Sequence, residues 1–420
     1  MHLREILKIK RIYVHIYALF VIFITYLVLV SMLNPNLIHP TPDAYYNLQL
    51  DAFMHGRLNL ISSYTYDLSP FHGKWYMYWG PAPVLFILPF YILFGIGASS
   101  ILYTFLAGLA NVILFYLVLR AFTAYFKLHL SIFSELFLLF SFSFCSANFA
   151  LSFVGRLSNT PTEQVIATCY LLIFYLFYFK WLANLKNLFY LTFAVIFFNL
   201  AWLSRYTMIF HGVLFLYPFF ITKISQWKQL LKPGIIVISI VAVFITGDLI
   251  YNYARFSNPF ETGHQYHQGN KRYAQILKTH RIFSTEYIPQ NVYYYFFHLP
   301  KFFLYKPFME IDREGNSIFA IYPGILFLIL FLRKKYIADS QKKLFILLAS
   351  SIIAVTIMVF MLYFATGWVQ FGSRFFLDIT PLTYLLIAFV IEDVLIIIRL
   401  LTIMYALFIN FVGTIELVSK

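Results

Sequence analysis

Long apolar runs separated by short polar connections make up most of this 420-residue chain. The runs are about 18 to 22 residues long, the length that an α-helix needs to cross roughly 30 Å of hydrocarbon. The period-2 alternation of a membrane β-barrel is not seen. The pattern therefore predicts an all-α integral membrane protein, folded as a single polytopic domain over residues 1–420.

The polar connections predict how the chain is threaded through the membrane. The first run, residues 12–33, follows a basic segment and ends without a small-residue cleavage site, so it is expected to be a retained anchor with a cytoplasmic N-terminus. Residues 81–97 are apolar but short, and they contain three prolines. If this segment lies along the outer surface, the basic connections all fall on the cytoplasmic side, which favours about eleven transmembrane helices.

Two of the predicted outer connections are long, residues 34–98 and 253–316. Both contain aromatic stretches, such as GKWYMYWG and VYYYFFHLPKFFLY. Aromatic rings are enriched at the headgroup level of membranes. We therefore expect juxtamembrane helices in both outer loops.

Composition agrees with a membrane location and argues against nucleic acid as a partner. The chain is 61% hydrophobic and only 11% charged, and its mean hydropathy is +0.77, which excludes an ordinary soluble globule. The net charge of +14 is spread over the short connections, where it encodes topology. Cys145 and Cys169 fall inside predicted spans and are expected to pack as small apolar side chains.

Asp43 is the first candidate for chemistry, because it opens the first outer loop directly after a membrane span. A carboxylate near the hydrocarbon boundary can accept a proton from a hydroxyl nucleophile, and partial desolvation raises its basicity. Tyr46 and Arg57 follow at spacings that suit one short helix along the membrane. The alternative is that Asp43 only caps that helix. Glu163, at the start of the fourth span, is expected to position an acceptor, bind a divalent ion or cap its helix.

Several cations return at the outer ends of spans, against the usual inside bias. The candidates for holding a phosphate are Arg57, Lys74, Arg205 and Arg374. The alternatives are contact with lipid headgroups or pairing with local carboxylates such as Asp378. His264 and His267 have a spacing compatible with a metal, but without further ligands they are a weak signal, and any metal remains unknown. Phosphate-cradling Gly-rich loops and a nucleophile elbow are absent from the sequence.

Taken in order, these residues resemble a C-type membrane glycosyltransferase of the GT-C superfamily, particularly the bacterial family 39-like proteins related to protein O-mannosyltransferases and aminoarabinose transferases. The resemblance covers most of the chain and rests on Asp43, LDAFMHGRLNL, GKWYMYWGPAPVLFILPFYILFG, SRYTM, NYARFSNPFETGHQY and FGSRFFLDITP. The chain departs from the family pattern in two places: Glu163 stands where an Asp is expected, and Lys74 is not followed by a Pro pair.

The resemblance implies transfer of a sugar from a polyprenyl-phosphate-linked donor to a glycan, lipid or protein acceptor. Asp43 would then be the catalytic carboxylate, with Lys74, Arg205 and Arg374 steadying the departing lipid phosphate. A divalent cation is a further expectation. The expected location is the bacterial inner (cytoplasmic) membrane, with the active site on the outer face and membrane lipids as surroundings.

Two other function classes stay open from the sequence. A transporter or flippase of lipid-linked saccharides would need charged residues deep inside the spans, and few are found. A catalytically silent assembly subunit would tolerate loss of Asp43, Arg205 and Arg374 together.

Overall fold

The computed structural model describes residues 2–155, 160–269, 275–276, 279, 281–312, 314–367 and 370–419, without the side chains of 2–10, 160, 161 and 337. Six helices within these ranges are long and apolar enough to cross a membrane. They are α1 (His2–Leu33), α4 (Ser100–Tyr125), α7 (Thr160–Ala183), α10 (Lys228–Phe256), α13 (Ser340–Leu362) and α15 (Ile396–Val418).

Shorter helical segments complete the bundle. The shorter α-helices are α2 (Tyr45–Met54), α3 (Pro83–Phe94), α5 (Ile132–Phe144), α6 (Ala147–Leu151), α8 (Leu188–Trp202), α9 (Tyr217–Ile221), α11 (Ile288–Val292), α12 (Ile318–Ile321) and α14 (Thr380–Val390). Tighter 3₁₀ turns extend three of them: Tyr206–Leu216 leads into α9, Pro323–Leu332 follows α12, and Ile391–Asp393 ends α14.

Charged contacts define one end of the bundle, which we call the basic end. Here Glu135 at the start of α5 accepts a hydrogen bond of 3.0 Å from Arg11 on α1. Lys335 pairs with Asp393, and most of the remaining lysines lie in the short connections nearby. Charges that cluster at one end of the spans are typical of a cytoplasmic face.

The opposite end, which we call the loop end, carries the long segments 34–98 and 253–316. At this end the Asn34 side chain, just past α1, donates to the backbone of Phe153, just past α6, at 2.9 Å. Followed in order between the two ends, the described segments make eleven passes, with α5 and α6 forming one pass and each 3₁₀ extension joined to its helix. The predicted fold class, all-α with about eleven membrane helices, is confirmed.

The ambiguous segment 81–97 does not cross the membrane. Gly80, before α3, packs against the backbone of Leu203 at the loop end. Gly97, beyond α3, lies against Pro40 at the same end. The helix therefore returns to the end from which it started, and the predicted juxtamembrane helix is confirmed.

A small hairpin in the first long loop was not predicted from the sequence. Strands β1 (Ser69–Phe71) and β2 (Lys74–Tyr76) pair antiparallel. The loop is tied to the second long loop by a backbone bridge between Leu68 and Gln268 and by the Ser69 hydroxyl, which donates to the carbonyl of Gly263 at 2.8 Å. The two long loops thus form one layer over the loop end of the bundle.

Aromatic rings fill much of the helix bundle. Phe115 of α4 and Phe142 of α5 stack with ring centroids 4.2 Å apart, an offset arrangement that adds to the free energy of burial. Cys145 and Cys169 are buried, as the sequence predicted.

Candidate functional site

A cavity of about 390 Å³ opens at the loop end, between the bundle and the second long loop. Its polar lining residues, which we call the polar wall, come from the start of α7, the turn after α8 and the second long loop. Its apolar lining residues come mainly from the end of α13 and the second long loop. The lining residues are Trp79, Gly80, Glu163, Ser204, Arg205, Tyr206, Thr207, Phe260, Glu261, Thr262, His264, Ile282, Phe283, Val359, Phe360, Tyr363 and Phe375.

Arg205 holds the polar wall together by bridging two buried carboxylates. Its Nε and Nη2 donate to the two oxygens of Asp378 at 3.2 and 3.0 Å. Its Nη1 donates to Oε1 of Glu163 at 2.9 Å. Asp378 and Glu163 are almost inaccessible to solvent, and buried carboxylates need such partners to stay ionised.

A close backbone approach places Arg205 at the cavity. Helix α8 ends at Trp202, and the chain turns through Leu203 and Ser204 before the 3₁₀ segment begins. A Cβ atom at Gly80 would lie 1.7 Å from the carbonyl oxygen of Leu203. Only glycine allows this approach, so the first long loop and the end of α8 share one side of the cavity.

The carboxylate of Asp378 is fixed from several sides. The Thr207 hydroxyl donates to its Oδ2, and His211 contacts its backbone carbonyl at 3.0 Å. The sequence analysis gave pairing with carboxylates such as Asp378 as an alternative role of the outer cations, and among the described residues Arg205 forms such a pair with it. The carboxylate is used by Arg205, which is far away in sequence.

Burial and ion pairing act in opposite directions on Arg205. Burial by itself would lower the pKa of this guanidinium, but the carboxylates of Asp378 and Glu163 outweigh that effect and raise the pKa. Arg205 is therefore a fully charged group whose charge is compensated within the protein.

Arg374 has a different environment. Its Nη2 donates to the carbonyl of Gly367, and its guanidinium carbon lies 5.4 Å from the ring centre of Phe375. Its Nε is buried without a hydrogen-bond partner. Within the described part of the chain no carboxylate forms an ion pair with it, and burial lowers its pKa. Arg374 is thus a buried cation with spare donor capacity.

The second long loop adds groups that the sequence analysis did not assign to this site. Glu261 is buried and accepts from the backbone N–H of Gly263, and desolvation raises its pKa. His264 contacts the Thr262 hydroxyl at 2.7 Å. Burial, His267 and the cations Arg205 and Arg255 lower the pKa of His264 to about 3, so its imidazole is neutral at physiological pH.

Tyr46 links the first long loop to the polar wall by a hydrogen bond. It is buried in α2, and its hydroxyl donates to Oε2 of Glu163 at 3.3 Å. Asp43 lies two residues before this helix and is solvent-exposed. The N-cap residue of α2 is Ala44, and the helix has no side-chain cap, so Asp43 is not the helix cap of the alternative interpretation.

The remaining predicted residues lie away from the cavity lining. Arg57 forms an ion pair with Asp51 at 3.0 Å. Asp51 also accepts a hydrogen bond of 2.8 Å from the Tyr91 hydroxyl, which joins α2 to α3. Lys74 is exposed on β2. Among the described residues that line the cavity, Asp43, Arg57, Lys74 and Arg374 do not appear, whereas Glu163 and Arg205 do.

A metal site is not supported by the described ranges, where no group of three His, Cys, Asp or Glu residues could hold an ion. The oxygens of Glu163 are already engaged by Arg205 and Tyr46. His267, the other histidine of the pair noted in the sequence, contacts Asp67 at 2.8 Å. Metal dependence therefore stays a prediction.

No protein-family model matches the sequence, and no curated protein does so either. Solved structures, however, match its fold. The apo oligosaccharyltransferase of Archaeoglobus fulgidus superposes with a TM-score of 0.51 at 14% identity, over 94% of this chain and 56% of that one. The archaeal oligosaccharyltransferase AglB from the same organism, in complex with an inhibitory peptide and a dolichol-phosphate, superposes with a TM-score of 0.53 at 13% identity, over 94% of this chain and 56% of that one.

A second kind of neighbour is ArnT from Cupriavidus metallidurans bound to undecaprenyl phosphate, with a TM-score of 0.52 at 13% identity, over 89% of this chain and 60% of that one. The chain thus spans a little more than half the length of these proteins. Both neighbours are GT-C glycosyltransferases. The resemblance found from the sequence is therefore confirmed at the level of the fold: this is an integral membrane protein that shares the fold of these neighbours.

Proposed function

We propose that the protein is a membrane glycosyltransferase that moves a sugar from a polyprenyl-phosphate-linked donor to an acceptor at the loop end. The observation that carries this proposal is the cavity, whose lining combines charged and apolar side chains. A lipid-linked sugar has the same two characters, since a hydrophilic sugar phosphate is joined to a hydrocarbon chain. The solved neighbours with this fold include complexes with undecaprenyl phosphate and dolichol-phosphate.

Arg374, which does not itself line the cavity but directly precedes the lining residue Phe375, is the residue proposed to bind the donor phosphate. The guanidinium of Arg205 already forms ion pairs with two carboxylates. Among the described residues, the buried Nε of Arg374 has no hydrogen-bond partner. A guanidinium without a carboxylate is the stronger anion site, because the phosphate would supply the missing counter-charge. In this proposal Arg205 organises the wall, and Lys74 and Arg57 contact the donor only if the loop that carries them moves.

Asp43 is proposed as the catalytic carboxylate, on the basis of the resemblance. Asp43 lies two residues before the first residue of α2. Tyr46 of the same helix donates a hydrogen bond to Glu163. In the reaction the acceptor oxygen would attack the anomeric carbon, the bond from that carbon to the phosphate oxygen would break, and Asp43 would take the acceptor proton. The polyprenyl phosphate would leave with the bonding electrons, facing Arg374.

Glu163 is proposed to position the acceptor through Tyr46 and Arg205. Because its oxygens are already hydrogen-bonded, no step is assigned to a divalent ion here. The acceptor is proposed to be a glycan, lipid or protein.

The loop end is proposed to face away from the cytoplasm. The basic end carries Arg11, Arg120 and the lysines of the short connections, and such an excess is retained on the cytoplasmic side. In a bacterium this orientation corresponds to the inner membrane with the active site on its outer face.

A flippase or transporter of lipid-linked saccharides is the other function considered. It would need ionisable groups along a path through the membrane. In the described part of the bundle the paired acids lie near the two ends, as with Glu135 at the basic end and Asp378 at the loop end. This distribution favours chemistry at one face.

Binding of undecaprenyl phosphate to the purified protein in detergent tests the proposal. Replacement of Arg374 by Gln removes a charged donor worth about 1.5–3 kcal/mol, so we expect the affinity to fall by about 10- to 100-fold. Arg120→Gln is the matched control, since this partly exposed arginine lies at the basic end. Equal affinity of Arg374→Gln and the wild type would remove Arg374 as the phosphate ligand.

A further inference from the structure

We propose that the hairpin formed by residues 301–310 of the second long loop is a membrane anchor that inserts its tip into the leaflet at the loop end. The inference is independent of the chemistry proposed above, because it concerns only where this segment lies. Its partner is the lipid bilayer itself.

The hairpin is short and well defined. Phe302 and Met309 form a backbone bridge, the N–H of Phe303 donates to the carbonyl of Phe308 at 2.9 Å, and the N–H of Glu310 donates to Lys301 at 2.9 Å. These contacts leave residues 304–307 as the tip. Polar residues normally occupy such a turn, since loop tips face water.

The side chains at and beside this tip are large and apolar instead. Leu304 is 99% exposed and Tyr305 is 72% exposed. Phe303 and Phe308 are also exposed. Full contact of these side chains with water would be unfavourable in proportion to their exposed apolar surface. A contiguous exposed patch of this kind marks an interaction surface.

The surface on which the hairpin rests identifies the partner. The ring of Phe302 stacks on Phe408 with centroids 6.1 Å apart, and Phe408 lies near the middle of the membrane helix α15. The N–H of Phe308 donates to Glu416, near the end of the same helix, at 2.9 Å. The hairpin therefore lies across α15 beside its outward-facing side.

That side of α15 is the lipid-facing surface of the bundle. Leu401, Met404 and Phe408 are exposed on a helix that is long and apolar enough to span the membrane. Because the hairpin rests on this surface through the contact of Phe302 with Phe408, we infer that the hydrocarbon covering α15 also covers the tip.

The charges of the hairpin suit the lipid–water interface. Lys301 and Glu310 pair with each other at 3.1 Å at the base of the hairpin. Lys306 sits among the aromatic tip residues, and a lysine there can extend its ammonium group to the lipid phosphates while its carbon chain stays in the apolar region. Aromatic rings beside a lysine are typical of interfacial anchors.

An anchor at this position would hold the second long loop to the bilayer. The same loop supplies Glu261 and His264 to the cavity. Its distance from the membrane surface would therefore be fixed at one end by the hairpin and at the other by α10.

Spin labelling of the whole protein in proteoliposomes tests this inference. A nitroxide is attached to Leu304→Cys, and its collisions with oxygen, which partitions into lipid, are compared with those of a water-soluble nickel chelate. The two native cysteines are buried and leave the label specific. Leu401→Cys on α15 serves as the lipid-exposed control, and Ser63→Cys in the polar part of the first loop serves as the water-exposed control. Tyr305→Cys repeats the measurement at a second tip position.

We expect the labels at 304 and 305 to match Leu401→Cys, with greater accessibility to oxygen than to the nickel chelate. Accessibility to the chelate equal to that of Ser63→Cys would overturn the proposal. Spin–spin broadening between labels at 304 would do so as well, because it would show that a second copy of the chain covers the tip.

Discussion

Two arginines at the loop end differ in how their charge is balanced, and this difference organises the candidate site. Arg205 is held by Asp378 and Glu163, while Arg374 donates to a backbone carbonyl and keeps a buried Nε unpartnered. The sequence predicted both as phosphate ligands because both end short outer connections. It could not separate them, since Arg205 and Asp378 are 173 residues apart and only the fold brings them together.

The Arg205–Asp378 pair leads to a prediction about stability. Asp378→Asn removes one charge of a buried, bidentate pair, and such a loss costs about 3–5 kcal/mol. We expect a clear fall in the thermal unfolding midpoint of the protein in detergent. Glu310→Gln is the control, because its pair with Lys301 is exposed and such pairs contribute little. An unchanged unfolding midpoint for Asp378→Asn would show that the Arg205–Asp378 pair does not stabilise the folded protein.

His264 leads to a prediction about pH. Its pKa is lowered to about 3 in the folded protein, while an unfolded histidine titrates near 6.5. Between these values the unfolded state binds more protons, so this residue makes the protein less stable as the pH falls below about 6.5. When the pH is lowered from about 7 to about 5, we expect the thermal unfolding midpoint of His264→Asn to fall by fewer degrees than that of the wild type. Parallel losses in the two proteins would contradict the burial of a neutral imidazole.

At the scale of elements, the spans could be predicted and the irregular segments could not. Apolar length identified the membrane helices, and the basic connections placed residues 81–97 on the surface. The hairpin of β1 and β2 was not predicted because β2, with the sequence KWY, is too short for an alternating pattern to be recognised. The 3₁₀ segment Tyr206–Leu216 was not predicted because the run is mostly apolar, and such a run gives no sequence signal that distinguishes a 3₁₀ helix from an α-helix.

Two glycines in different elements give a matched pair of variants. A Cβ at Gly80 would meet the carbonyl of Leu203, whereas a Cβ at Gly247 in α10 would meet nothing within 4 Å. We expect Gly80→Ala to separate the first long loop from the end of α8 and to weaken undecaprenyl phosphate binding. Gly247→Ala should leave binding unchanged, because alanine is also the better helix former. The comparison is made by binding assay on the two purified variants, and equal affinities would argue against a role of this close approach.

At the scale of the whole molecule, the distribution of charge predicts the orientation in the membrane. Positive residues gather at the basic end, opposite the cavity. We expect Ser63→Cys at the loop end to react with a membrane-impermeant thiol reagent in intact cells. Gln226→Cys, in the connection between α9 and α10, should react only after the cells are permeabilised. The reverse pattern would place the cavity on the cytoplasmic side.

The fold class and the gathering of basic residues at one end could be predicted from the sequence because both depend on patterns that extend over the whole chain. Only part of the polar wall could be predicted from the sequence. Glu163 and Arg205 stand at span ends, where charge is conspicuous, while Glu261 and His264 reach the cavity through a loop whose path no local pattern specifies.

The central claim is that this protein transfers a sugar at the loop end, with Asp43 as its catalytic carboxylate. Mass spectrometry of glycans and glycolipids tests it most directly, on cells that lack the gene and carry either the wild-type protein or Asp43→Asn at equal membrane levels. We expect a sugar mass that is missing without the gene, is restored by the wild type and stays missing with Asp43→Asn. An identical set of masses in all strains would contradict the proposed transfer, and full restoration by Asp43→Asn would remove Asp43 from the mechanism.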